Sequence, residues 1–70
     1  MDILKANVVR YDNNGERALV YYYEIAGDSS ETKPTENVAD GSTFIETNTG
    51  DVYMFNAKTS AWVQMFGLKA

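Results

Sequence analysis

Residues 41–66 read GSTFIETNTGDVYMFNAKTSAWVQMF, and the spacing of their turn formers decides the fold. Strand-like runs at 43–47, 51–56 and 61–66 are separated by Asn48-Thr49-Gly50 and by a second turn at 56–60. The first break fits a three-residue hairpin loop with Gly50 at the left-handed position, where a missing Cβ removes the steric penalty. Period-two alternation then sorts the side chains of this meander. Phe44, Val52, Met54, Val63 and Met65 fall on one face; Ile45, Tyr53, Phe55, Trp62 and Phe66 fall on the other. Both faces are apolar, so both need cover.

A chain of 70 residues has little material for two covers. A domain of this size buries roughly 60% of the surface its unfolded chain exposes. Small domains commonly depend on a disulfide, a metal or association. The sequence holds neither Cys nor His, which removes disulfides, thiolate zinc sites and the commonest general base. Association is the remaining device. The net charge is −4, the opposite of the basic surface that releases counterions from nucleic acid. Asp28, Glu31, Glu36 and Asp40 face only Lys33 in the middle of the chain, where the acidic excess gathers. The N-terminal MDILKANVVR lacks the layout of a signal peptide, and no run has the apolar length of a spanning helix. These features predict a soluble protein made in a cytoplasm.

Before the meander, residues 3–11 and 17–25 are rich in Val, Ile, Leu and Tyr and flank Asp12-Asn13-Asn14-Gly15-Glu16. Asn-Gly favours a type I′ hairpin turn because both central residues need positive φ. With Asn14-Gly15 as the loop, Asp12 opposes Arg17 and Lys5 opposes Glu24, two favourable cross-strand pairs. That register places Leu4, Ala6, Val8, Leu19, Tyr21, Tyr23 and Ile25 on one face and turns Val9, Tyr11, Val20 and Tyr22 outward. Residues 27–42, GDSSETKPTENVADGS, form a connector. Its turn-rich composition, and Pro34 forcing Lys33 towards extended geometry, argue against a regular element. Sixteen residues is long for a loop, so it reads as a crossover to a second layer, with Val38 tucked into a core. The expected fold is all-β: an N-terminal hairpin, the connector, and a three-stranded antiparallel meander. Together they make one small sandwich or barrel-like domain open to completion by a partner subunit.

The chemistry-bearing patterns reduce to simpler readings. In the stretch from Asp12 to Glu16 Gly stands fourth, and strands flank it, so a turn explains it better than a calcium loop. Ten acidic residues always offer carboxylate pairs, yet none lies in a frame that marks a glycosidase pocket. Without His or a matched Lys, no Ser is visibly activated, and no Gly-rich phosphate loop occurs. The nine aromatics serve packing first. Tyr22, Tyr53, Phe55, Trp62 and Phe66 are the expected contact anchors, since Tyr and Trp on an exposed sheet face suit a protein interface.

From Pro34 to Phe66 the chain resembles a short module of small phage and prophage proteins found among head and tail structural proteins. The pattern is carried by Pro34, Thr35, Gly41, Ser42, Phe44, Ile45, Glu46, Thr49, Gly50, Val52, Tyr53, Met54, Phe55 and Trp62, about half the chain. It departs from the family pattern at Asn48, where Asp is expected, and at Asp51, where Lys is expected; the second reverses a charge beside the turn. The resemblance implies a virion component: a capsid decoration, head-fibre or tail-associated protein that docks to other virion subunits or to its own copies. Neither enzymatic activity nor a cofactor, metal, nucleic acid or membrane is expected. The alternatives are a small acidic inhibitor of a host enzyme and a carbohydrate-binding module.

Overall fold

A computed structural model describes residues 1–11 and 19–67, with the backbone alone described at positions 10, 11 and 66. The strands are β1 (Asp2–Tyr11), β2 (Leu19–Gly27), β3 (Thr43–Glu46), β4 (Val52–Asn56) and β5 (Ala61–Phe66). They form one sheet in the order β1-β2-β3-β4-β5. The Asn14-Gly15 turn, the Asp12–Arg17 pair and the question of a calcium loop lie outside the described residues.

The expected hairpin pairing is present. Lys5 stands opposite Glu24, and the antiparallel register runs unbroken to Val8 opposite Tyr21. Irregularities between Ile3 and Lys5 and between Val8 and Arg10 shift it at both ends, as bulges do when one strand carries an extra residue. Ala6, Val8, Tyr21, Tyr23 and Ile25 keep a common face by that register, and the Tyr21 and Tyr23 rings stack 5.6 Å apart. Val20, expected to point outward, is buried.

The second layer is absent among the described residues, and the sandwich or barrel gives way to one mixed sheet. β2 pairs with β3 in parallel, Glu24 beside Thr43 through Gly27 beside Glu46. The hairpin therefore lies beside the meander in the same sheet, joined to it through β2 and β3. A parallel pair requires a crossover, and residues 28–42 supply it. Its return limb runs beside β2: Tyr21 N–H donates to Asn37 O at 2.9 Å and Ala39 N–H to Tyr21 O at 2.7 Å. Val38 and Ala39 are buried there, which meets the expectation for Val38. The thinnest dimension is 17 Å, room for a sheet and a covering segment, since packed layers sit ~10 Å apart.

The meander is antiparallel as expected, with one consequential difference. Glu46 N–H donates to Asp51 O at 2.9 Å and Gly50 N–H to Glu46 O at 2.7 Å, so the loop is 47–50, four residues instead of three. Gly50 takes the left-handed conformation (φ 80°) as predicted. The extra loop residue moves β3 by one position against β4, pairing Phe44 with Tyr53 and Ile45 with Val52. A one-residue slip transfers every side chain of a strand to the opposite face. Phe44 thus joins Tyr53, Phe55 and Trp62, while Ile45 joins Val52, Met54 and Val63, correcting the expected sorting of β3. In β4 and β5, Met54 pairs with Val63 and Phe55 with Trp62, in keeping with the expected sets, but a register shift beyond Tyr53 sets Val52 opposite Phe66, which the expected sorting places on the other face.

Candidate interaction surface

The aromatic face of the meander is the core. Phe44 is 0% and Phe55 3% exposed. The half-buried Trp62 ring meets both edge-on, with centroids 6.0 Å from Phe44 and 5.2 Å from Phe55. The crossover covers this face, and Trp62 Nε1–H donates to Pro34 O at 2.8 Å. Pro34 has no N–H of its own, and its fixed φ holds the chain extended across the ring.

Lys33 is the second clasp. Its ammonium lies 4.6 Å from the Phe44 ring centroid and 4.4 Å from that of Tyr53, geometry that draws a cation to the negative ring faces. It donates to Glu46 Oε2 at 2.7 Å, and Thr49 Oγ1–H donates to Glu46 Oε1 at 2.8 Å. The Glu46 carboxyl is held below its ordinary value, chiefly by the Lys33 hydrogen bond with help from Thr49, against the opposing effect of burial. A buried carboxylate is tolerable only when paired and hydrogen-bonded in this way.

Smaller contacts fasten both ends of the crossover. Ser42, fully buried, accepts from Tyr23 N–H at 3.0 Å and donates to Ala39 O at 2.8 Å. Asn48 accepts from Ser29 N–H through Oδ1 and donates to Ser29 Oγ through Nδ2. The donating half of that clasp needs the amide, and an Asp at this position could not make it. At Gly27 a β-carbon would fall 2.8 Å from Phe44 Cζ and 2.9 Å from Glu31 Oε1, so a larger residue there would have to displace both side chains.

The reverse face of the meander is open. Ile45, Met54, Val63 and Met65 are 39–53% exposed. Met54, Val63 and Met65 line a shallow concavity of about 490 Å³ with Asp40 and Lys58 at its margin. Asp40 also accepts from Ala57 N–H at 3.0 Å, fixing one margin to the β4–β5 turn. Its lining is mainly apolar, with Asp40, Asn56 and Lys58 around it, which suits apolar contact. Among the described residues no three acidic side chains gather to hold a metal ion.

The expected anchors separate accordingly. Phe55 is core, and Trp62 and Tyr53 lie under the crossover. Tyr22 sits on β2, away from them, its hydroxyl donating to Glu24 Oε2 at 3.1 Å. The side chain of Phe66 lies outside the described residues. The set does not form one exposed surface: the slip of β3 brings Phe44 to the aromatics and the crossover seals them. For the same reason Ile45 stands on the open face, opposite the one its spacing predicts. The contacts of Lys33 and Pro34 left no local signal, since Phe44, Tyr53 and Glu46 on the one hand and Trp62 on the other are all distant in sequence.

Comparison with family models, with curated proteins and with solved structures found no match for the chain.

Proposed function

We propose that this protein is a non-enzymatic structural subunit that works by docking the open face of β3, β4 and β5 onto an apolar surface of another protein. The carrying observation is the exposure of Ile45, Met54, Val63 and Met65 together on one side of a sheet whose other side the chain covers itself. Contiguous apolar exposure rimmed by polar groups marks interaction sites. Methionine adapts its shape to a partner with little strain. The resemblance of residues 34–66 to phage modules supplies the class of partner, a capsid or tail subunit of a virion.

Two observations weigh against the alternatives. A nucleic-acid mimic needs its acids free, whereas Glu46 is engaged by Lys33, Asp28 accepts from Ser30, and Glu31 meets the Met1 amino group. A sugar-stacking module needs open aromatic faces, whereas Phe55 is buried and Trp62 lies against Pro34.

The test is binding of the purified protein to phage particles that lack it, followed by co-sedimentation. Val63→Asp, which places a charge on the open face, is expected to abolish binding while leaving the circular dichroism spectrum unchanged. Particles that fail to bind the unaltered protein, or that bind the variant equally well, would overturn the proposal.

A further inference from the structure

β1 is a sheet edge that the other described residues leave bare. Every residue from Met1 to Val9 is exposed, and Ile3, Leu4, Val8 and Val9 are each 50–64% so. Among the described residues β1 pairs only with β2. Its outer row of backbone groups is thus a template for another strand. The two irregularities flank a regular stretch, Lys5–Val8, where a straight ladder can form.

The sequence of this edge is complementary to itself. Counted by residue along two antiparallel copies with Ala6 opposite Ala6, Asp2 falls opposite Arg10, Ile3 opposite Val9, Leu4 opposite Val8 and Lys5 opposite Asn7, each half of the ladder passing one irregular step from either copy. Charge meets opposite charge at both ends, apolar meets apolar between them, and the smallest side chain sits on the axis. Other registers lose this match. A shift that places Lys5 on the axis sets like charges against each other, and one that pairs Lys5 with Val8 also sets Ile3 against Arg10.

We propose that β1 is a homodimer edge: two copies of this chain join β1 to β1 antiparallel about a two-fold axis at Ala6, making one continuous ten-stranded sheet. A two-fold contact uses the same patch on both copies, and backbone pairing supplies affinity while opposed side chains set register. This dimer uses the edge of the sheet and does not rest on the docking role given to the open face. It leaves both open faces free for a further partner.

The register makes the test specific. Sedimentation equilibrium of the full chain over a concentration series is expected to show a dimer. Asp2→Arg sets Arg against Arg at both ends, and Arg10→Asp sets Asp against Asp. Each alone is expected to weaken association by about tenfold or more, and an equimolar mixture to restore it, from the usual size of cross-strand charge pairs. Because the chain has no cysteine, Ala6→Cys provides a second measurement. It is expected to form an interchain disulfide on mild oxidation. Asn7→Cys is expected to cross-link poorly, since its two copies are offset by two residues, about 7–8 Å. Circular dichroism checks that each variant folds. A monomer at every concentration would overturn the proposal. So would a dimer indifferent to the charge exchange, equal cross-linking at both cysteines, or a dimer abolished by Val63→Asp alone, which would assign self-association to the open face.

Discussion

The two faces of the meander begin with equal apolar content and end differently. One, carrying Phe44, Tyr53, Phe55 and Trp62, lies beneath residues 28–42; the other, carrying Ile45, Met54, Val63 and Met65, meets solvent. Hydrophobicity alone does not divide them. Specific anchors do: Lys33 has two ring faces and a carboxylate to bind, and Pro34 offers a carbonyl to an indole N–H. The aliphatic face offers no such partners to a passing chain. A small protein can thus choose its interior with a few polar contacts placed on an apolar background.

The sharpest way to break the contrast is Phe44→Ala. Emptying the centre of the covered face is expected to cost about 3–5 kcal/mol, enough to unfold a marginal domain, as urea denaturation would show. Lys33→Ala comes next, leaving Glu46 buried without its cation; the melting temperature is expected to fall by about 10 °C or more. The same ion pair has a pH signature. The folded chain holds the Glu46 proton less tightly than the unfolded chain, so the pair's contribution is present above the ordinary value of 4.5 and lost as pH falls through the lower folded value. Acid titration of thermal stability should show that loss in the unaltered protein and much less of it in Lys33→Ala.

Milder changes sharpen the comparison. Gly27→Ala pushes a methyl group against Phe44 and Glu31 and is expected to destabilise by about 1–3 kcal/mol in denaturant titration. Trp62→Phe keeps an aromatic ring, though a smaller one, and removes the bond to Pro34, with an expected loss of about 1–2 kcal/mol. Smallest of all, Met54→Thr with Val63→Thr on the open face is expected to change stability by no more than about 0.5 kcal/mol. A large loss from that pair would mean that the face regarded as open is covered in solution.

Much of this was legible because it is local. The Lys5–Glu24 register, Gly50 in the left-handed region and the alternation of residues 53–56 against 61–64 follow from turn chemistry and period-two spacing. The faces of β3 were misread because Thr47 can end a strand or begin a loop, and parity hangs on that one residue. The parallel union of β2 with β3 carries no turn signal, because its partners are joined through space and not along the chain. Lys33 reads as one more solvated charge until Phe44, Tyr53 and Glu46 are brought around it. The interaction surface was accordingly sought in the conspicuous aromatics, whereas the exposed residues are aliphatic and sulfur-bearing.

The crossover also bears on the order in which the molecule can form. The hairpin and the meander each pair strands that are neighbours in sequence, and such units form in roughly 1–10 μs. Neither has a sealed core alone. Sealing requires β2 to find β3 while Lys33 and Pro34 settle over the aromatic rings, a closure with more chain to order and no local turn to guide it. Folding therefore has two fast local events and one slower joining event. Lys33→Ala should slow refolding if the clasp forms during joining, and should only hasten unfolding if it forms afterwards.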